Sequence, residues 1–101
     1  EYLTRYGYQI LCRNFRCRQG EIDIIARDRD YLVFIEVKYR RDEHEGDPAE
    51  AVDARKQARI LRTARYYMTR YHISEDTPCR FDVVAVLGSN VRLIRDAFWC
   101  G

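Results

Sequence analysis

The chain has 101 residues, a formal net charge of +2 and a hydrophobic fraction of 47%. This length is typical of one domain, so we expect a single domain over residues 1–101. The hydrophobic fraction can supply a packed core and excludes a chain that is disordered throughout. The longest apolar run is too short to cross a bilayer, and we recognise no secretory signal, so we expect a cytoplasmic protein without a membrane partner.

The thiols are predicted to be reduced. The four cysteines are Cys12, Cys17, Cys79 and Cys100. They form no Cys-x-x-Cys pair and lie far from both histidines in the sequence, which argues against a structural zinc site. A domain of this size can build a core without disulfides.

The N-terminal half is predicted to contain three strands. Residues 1–7 resemble the end of a helix, with Gly7 as its stop signal. The strands are expected over residues 8–15, 21–26 and 31–39, and the third is the richest in β-branched and aromatic residues. Turns are predicted at Gln19-Gly20 and over residues 27–30.

A long helix is predicted next, after a charged loop over residues 40–46. Asp47 suits the N-cap, Pro48 the first helical position and Glu50 the third, which is a capping-box arrangement. The helix should run to about Tyr71. Its predicted apolar stripe consists of Ala54, Ala58, Leu61, Ala64, Met68 and Tyr71. Two further strands over residues 80–87 and 91–98 complete an α/β fold, a mixed sheet with helices packed on it.

Acidic residues of the second and third strands are predicted to meet. Side chains alternate along a strand, so Glu21, Asp23 and Ile25 should share one face, opposite to Ile22, Ile24 and Ala26. Glu36 and Lys38 share a face of the third strand. A hairpin of these strands would gather three carboxylates and one lysine. Crowded carboxylates repel, and a divalent cation makes their proximity tolerable.

This cluster suggests a hydrolytic metal site. Oxygen ligands from Asp23, Glu36 and the backbone carbonyl of Val37 suit Mg²⁺ or Mn²⁺. A bound metal can activate water and stabilise charge on a phosphodiester, and Lys38 could assist by orienting the water or stabilising the transition state. Glu21 is a further catalytic candidate. The alternative is that Glu-x-Lys on a strand is only an exposed ion pair, which contributes little.

The long helix carries candidate phosphate ligands. Residues 55–74 contain several basic side chains and no acid, whereas residues 21–54 are acidic in sum. The candidates for nucleic-acid binding are Arg55, Lys56, Arg59, Arg62 and Arg65. For any single arginine the alternative is an ordinary solvated helix face. Asp82 interrupts an apolar strand, and a structural pair with Arg80 is the favoured explanation for it.

The arrangement of these residues resembles a known nuclease superfamily. Asp23 followed across a hairpin by Glu36-Val37-Lys38 is similar to the PD-(D/E)XK pattern. Four segments resemble, more specifically, the YraN-like family of bacterial predicted endonucleases, which are similar to Holliday junction resolvases. These segments are residues 20–26 (GEIDIIA), 33–38 (VFIEVK), 46–52 (GDP and AV) and 80–84 (RFDVV). The resemblance spans essentially the whole chain.

The resemblance implies a restriction-endonuclease-like fold, a mixed β-sheet flanked by helices in the order αβββαβ. It implies Asp23 and Glu36 as metal ligands, Lys38 as the catalytic lysine, and Lys56 as a helix residue that approaches the site. It also implies branched or structured DNA as the partner and a homodimer as the assembly. Because related resolvases carry a glutamate on the first helix, we expect that helix to be truncated at Glu1.

Two other functions are consistent with the sequence. One is a non-catalytic nucleic-acid-binding module that keeps the nuclease fold, and the other is a scaffold domain whose charges are structural. The nuclease hypothesis requires Asp23, Glu36 and Lys38 to converge within the reach of one metal ion. The binding module predicts salt-sensitive DNA binding without cleavage, and the scaffold predicts neither.

Overall fold

The structure, a computed structural model, describes residues 2–40 and 53–98. A short 3₁₀ helix, Leu3–Tyr6, ends at Gly7, whose φ of 87° confirms the predicted stop signal. The strands are β1 (Gln9–Cys17), β2 (Gly20–Asp28), β3 (Tyr31–Arg40), β4 (Cys79–Leu87) and β5 (Asn90–Ile94), and helix α1 (Ala54–Arg70) lies between β3 and β4. The predicted order of strands and long helix is confirmed.

The five strands form one sheet in the order β1-β2-β3-β4-β5. Neighbouring strands are antiparallel except β3 and β4, which run parallel. Parallel neighbours need a crossover connection, and α1 lies in that connection. The protein therefore has a mixed α/β fold.

The two faces of the sheet are covered differently. Ile60 and Ala64 of α1 pack with Ile25 and Phe34 on one face, whereas Leu3 and other apolar residues form a second core cluster on the opposite face. Within residues 2–40 and 53–98, α1 is the only α-helix, so the expected sheet flanked by helices is not found in this part of the chain. Among the described residues, no helix is long and apolar enough to cross a membrane.

Helix α1 begins at Ala54. Asp53 has an extended backbone, and its carboxylate accepts a hydrogen bond of 2.8 Å from the N–H of Lys56, which is an N-cap interaction. The predicted helix start at Asp47, Pro48 and Glu50 lies outside the described residues, as does most of the predicted loop before it.

The buried stripe of α1 differs from the prediction. The buried residues are Ile60, Thr63, Ala64 and Tyr67. The predicted stripe members Ala54, Ala58 and Tyr71 are exposed. Thr63 is accommodated in the core because its hydroxyl donates a 2.8 Å hydrogen bond to the carbonyl of Arg59. Tyr67 makes a T-shaped contact with Phe34 and thereby adds an aromatic contact to the core.

Strand β5 is shorter than predicted because Asp82 binds the chain that follows it. The Asp96 N–H donates a 2.9 Å hydrogen bond to Asp82 Oδ1, and the Ala97 N–H donates to the carbonyl of Phe81 at 2.8 Å. Asp96 has a φ of 52°, a left-handed conformation that turns the chain out of the ladder. The strand therefore ends at Ile94 and does not reach Phe98.

Asp82 is fully buried and belongs to a charged network. Arg80 Nε donates a 2.9 Å hydrogen bond to Oδ1 of Asp82, which confirms the predicted pair. The Tyr8 hydroxyl donates to Oδ2 at 2.7 Å. Arg80 also binds Asp28 at 2.9 Å, so one guanidinium joins β2 to β4. The buried carboxylate is thus satisfied from several elements, as a buried charge must be.

Three of the four cysteines lie within the described residues. Cys12, Cys17 and Cys79 are free cysteines. Cys100 lies outside the described residues.

Candidate functional site

Strands β2 and β3 separate where the acidic residues lie. Their paired residues begin, at this end, with Ile24 opposite Ile35. One further step in the same register brings Asp23 beside Glu36. Here the N–H of Val37 donates a 2.8 Å hydrogen bond to Oδ2 of Asp23, so a side chain takes the position of a backbone acceptor. The Asp23 carboxylate therefore lies between the two strands.

A break in the strand alternation sets the position of Asp23. Ile22 and Ile25 both pack on the α1 side of the sheet, whereas Ile24 packs on the other side. On β1 the register places Asn14 opposite Asp23, and Asn14 has a φ of 53°. Asparagine tolerates this left-handed conformation better than most residues do. The predicted grouping of Ile22 with Ile24 on one face is therefore wrong.

The carboxyl group of Glu36 interacts with that of Asp23 through a hydrogen bond and through their charges. Its side chain is only 14% exposed. Burial, the hydrogen bond with Asp23 and the charge of Asp23 raise the pKa of Glu36 from 4.5 to about 7, although the positive charges of Lys56 and Lys38 act in the opposite direction. Two adjacent carboxylates, one of them titrating near neutrality, are characteristic of sites that hold a cation or move a proton.

Two lysines complete the cluster. Nζ of Lys56 lies 3.4 Å from Oε2 of Glu36. Burial lowers the pKa of Lys56, but its interactions with Lys38 and Glu36 outweigh burial and the pKa is raised. The structure thus brings together Asp23, Glu36 and Lys38 as predicted, and Lys56 reaches them from the first turn of α1.

Glu21 does not join the acid pair. It lies opposite Arg16 on β1, and its Oε2 is 3.1 Å from Arg16 Nε in an exposed ion pair. Among residues 2–40 and 53–98, no group of three or more His, Cys, Asp or Glu side chains is arranged to hold a metal. The predicted trio of carboxylates is therefore reduced, in this part of the chain, to Asp23 and Glu36.

Glu36, one member of the acid pair, lines a cavity of about 610 Å³ between the β1–β2 turn and α1. We call it the carboxylate cavity; its lining includes Arg16, Glu21, Glu36, Lys56 and Arg59. Sequence reasoning missed Arg16 as a site residue. A usable signal was present, because Arg16 and Glu21 are equidistant from the turn and so face each other in a hairpin.

The predicted phosphate ligands of α1 are distributed over more than one surface. Lys56 and Arg59 line the carboxylate cavity. Arg55 and Arg62 are exposed on α1 and are not among the described residues of that lining. Arg65 is also exposed but lines a different cavity, of about 720 Å³, beside α1 and β4. One ligand in the carboxylate cavity would therefore meet Lys56 and Arg59.

The donor atoms at the acid pair fit a hard divalent cation. Mg²⁺ and Mn²⁺ are bound by one or two carboxylates and complete their coordination with water and other oxygens. Asp23 and Glu36 supply two carboxylates, and Val37 supplies a neighbouring backbone carbonyl. Because the Lys56 ammonium contacts Glu36 Oε2, a cation would compete with it for that oxygen.

Comparisons with known proteins identify the family of the chain. The model of a family described as "Uncharacterised protein family UPF0102" matches residues 1–86. The chain belongs to the UPF0102 family. A UPF0102 protein of Lachnoclostridium phytofermentans is 57% identical over 97 residues, which cover 96% of this chain and 82% of the relative.

More distant relatives also match nearly the whole chain. A UPF0102 protein of Symbiobacterium thermophilum is 52% identical over 103 residues, covering 97% of this chain and 86% of the relative. A UPF0102 protein of Nitrosococcus oceani is 44% identical over 101 residues, which cover 96% of this chain and 82% of the relative. The similarity therefore includes the segments that carry Asp23, Glu36 and Lys38.

The raised pKa of Glu36 predicts a pH dependence of stability for this UPF0102 protein. Between pH 4.5 and about 7 the folded protein retains a proton that the unfolded chain releases. This contribution is fully present below pH 4.5 and is lost as the pH rises through 7. Relative to Glu36→Gln, wild type should lose about 2–3 kcal/mol of unfolding free energy from pH 5 to pH 8.

Urea unfolding of both proteins in EDTA at the two pH values measures this difference. The Glu36→Gln protein is the reference because it lacks the titrating carboxyl but retains the other acids. Parallel changes in wild type and Glu36→Gln would contradict the assignment of the shift to Glu36.

Proposed function

We propose that this UPF0102 protein is a metal-dependent endonuclease that hydrolyses phosphodiester bonds in DNA, with branched or structured DNA as its substrate. The observation that carries the proposal is the meeting of Asp23 and Glu36 where β2 and β3 separate, with Lys38 and Lys56 beside them. Two carboxylates in contact repel each other, more strongly where one is mostly buried, and a bound cation would relieve this repulsion.

The resemblance to the PD-(D/E)XK superfamily and its YraN-like members supports the same function. Asp23 and Glu36-Val37-Lys38 match its signature on adjacent strands, and α1 follows them as the second helix of the superfamily does. On this basis the sheet corresponds to a restriction-endonuclease-like core. Membership of the UPF0102 family, which is described as uncharacterised, is consistent with the proposal, and the activity is to be tested by experiment.

Each residue of the cluster has a chemical role in this proposal. Asp23 and Glu36 would hold the cation, and the Val37 N–H fixes the Asp23 carboxylate between the strands. When bound, Mg²⁺ or Mn²⁺ supplies a Lewis acid for the phosphate and acidifies water. The Lys38 ammonium, beside Glu36, stabilises the negative charge that develops on the phosphate oxygens. Lys56 neutralises Glu36 in the absence of metal, and Oε2 of Glu36 would become available to a cation if this ion pair opened.

A non-catalytic DNA-binding module is the second candidate function. The Lys56–Glu36 ion pair favours it, because the cluster of two acids and two lysines can neutralise itself without a metal. The lack of a third metal-ligating side chain within the described residues favours it too. This candidate predicts DNA binding that weakens with salt and no cleavage.

Cleavage assays with Asp23→Asn test the proposal. The protein is incubated with linear, nicked and four-way-junction DNA in Mn²⁺, Mg²⁺ or EDTA. We expect cleavage with metal, strongest on the junction, and none in EDTA. Asp23→Asn should be inactive because it loses a charged ligand, yet its amide oxygen can still accept the Val37 N–H and preserve the fold.

Asp30→Asn is the matched control, because Asp30 is an exposed carboxylate in the β2–β3 turn. It should cleave like wild type. Binding of all three DNAs without cleavage in either metal would reject the nuclease and support the binding module.

A further inference from the structure

Gly20 and Arg59, which both line the carboxylate cavity, are in unusually close contact. A Cβ atom placed on Gly20 would lie 2.9 Å from Cγ and 3.1 Å from Cδ of Arg59. It would also lie 2.9 Å from Oγ1 of Thr63, which is itself fully buried and bound to the Arg59 carbonyl. The aliphatic part of Arg59 therefore crosses β2 at the one position that has no side chain.

The backbone of Gly20 also requires glycine. Its φ of 149° lies in the region that residues with a Cβ rarely adopt. The conformation belongs to the β1–β2 turn. The space at this position is taken by the Arg59 side chain, a contact that an ordinary solvated arginine would not make.

Arg59 lines a cavity that contains acids, yet it pairs with none of the acids in the described part of the chain. Glu36 is paired with Lys56, and Glu21 is paired with Arg16. Throughout residues 2–40 and 53–98, no carboxylate forms an ion pair with Arg59, although it lines the same cavity as both acids. A guanidinium that is held in place, with no anionic partner among the described side chains and beside a proposed phosphodiester site, is suited to a phosphate group.

We infer that Arg59, held across Gly20, binds a backbone phosphate of the DNA next to the phosphodiester that is cleaved. The inference rests on the proposed function for the identity of the ligand, and it deepens that proposal by assigning the substrate contact. The DNA backbone then runs over the β1–β2 turn and the first turns of α1. Arg59 contacts a phosphate and not a base, so this contact adds affinity for DNA without sequence preference.

Binding of a labelled DNA duplex in EDTA, over a series of salt concentrations, tests the inference without requiring cleavage. Arg59→Met keeps the aliphatic part of the side chain and removes the charge. We expect about tenfold weaker binding and a slope of log K against log salt that is smaller by about 0.9, the value for one phosphate contact. The matched control is Arg92→Met, an exposed arginine on β5, which should bind like wild type.

Gly20→Ala tests the role of the contact itself. It retains every charge but forces Arg59 to move, so it should weaken binding as Arg59→Met does. The double variant should bind no more weakly than Arg59→Met, because both changes remove the same contact. Thermal unfolding identifies any loss of fold in the glycine variants, and Arg59→Met then decides the question by itself.

The outcomes separate this inference from the proposed function. Equal affinity and equal salt dependence of Arg59→Met and Arg92→Met would overturn the inference, while metal-dependent cleavage by wild type would leave the nuclease intact. Absence of cleavage together with the expected loss of binding would reject the nuclease and retain Arg59 as a phosphate ligand. Absence of DNA binding by wild type would overturn the inference.

Discussion

The Glu36→Gln protein is expected to cleave DNA at least about a hundredfold more slowly than wild type in Mn²⁺. Loss of groups that only orient metal ligands already costs about 10- to 100-fold in activity, so loss of a ligand should cost at least the upper value. The amide is nearly isosteric with the carboxylate, and it removes the negative charge that the cation requires.

The Glu36→Gln protein should be more stable than wild type, although it is less active. Glu36 is ionised against its burial and against Asp23 at pH 8, and glutamine relieves both penalties. In EDTA at pH 8, Glu36→Gln should therefore unfold at a higher urea concentration than wild type. A variant that is less active but more stable cannot owe its inactivity to misfolding.

The control for both measurements is Glu75→Gln, which replaces an exposed acid outside the carboxylate cavity. It should match wild type in cleavage and in unfolding. Retention of wild-type cleavage by Glu36→Gln would remove Glu36 from the metal site, and with it the proposed mechanism.

Asp82→Ala should destabilise the fold by about 3–5 kcal/mol, the cost of removing one partner from a buried ion pair. The substitution leaves the Arg80 guanidinium, the Tyr8 hydroxyl and the Asp96 N–H without their carboxylate. Urea unfolding at pH 7 measures the change. Asp76→Ala, at an exposed loop position, should change the unfolding free energy by less than about 0.5 kcal/mol.

The double variant Arg80→Leu/Asp82→Leu tests whether the loss of stability comes from leaving one buried charge without its partner. Removing both charges leaves no unpaired buried ion from this pair, so the double variant should be less destabilised than the sum of its single variants. Additive losses would show that the two side chains contribute independently. The network would then not be the reason for the sensitivity of Asp82.

The sequence predicted the acid pair because its geometry depends on one hairpin. Strand β3 is paired on both sides, so alternation holds along it, and Glu36 lies where expected. The β2–β3 turn fixes which residues are opposite and so predicts Asp23 beside Glu36, although it does not predict the break in alternation that sets how Asp23 faces. The spacing of the residues and the position of the turn therefore predicted the main feature of the candidate site, the proximity of Asp23 and Glu36.

Features that depend on distant residues were predicted less well. The left-handed conformation of Asn14 changes the facing of both β1 and β2, and nothing in the alternation of polar and apolar residues reveals it. The buried stripe of α1 includes Thr63, whose burial depends on a hydrogen bond to its own helix. The early end of β5 follows from the Asp96 bond to Asp82, fourteen positions away in the chain.

The left-handed conformation of Asn14 on β1 bears on how copies of this protein can associate. β1 and β5 are the outermost strands, and an unpaired outer strand is a template for intermolecular pairing. The register of β1 shifts between Ile10 and Cys12, and Asn14 interrupts it again, while β5 has only five residues. Within residues 2–40 and 53–98, neither outer strand is long and regular, which makes both poor templates for the addition of a strand from a second copy.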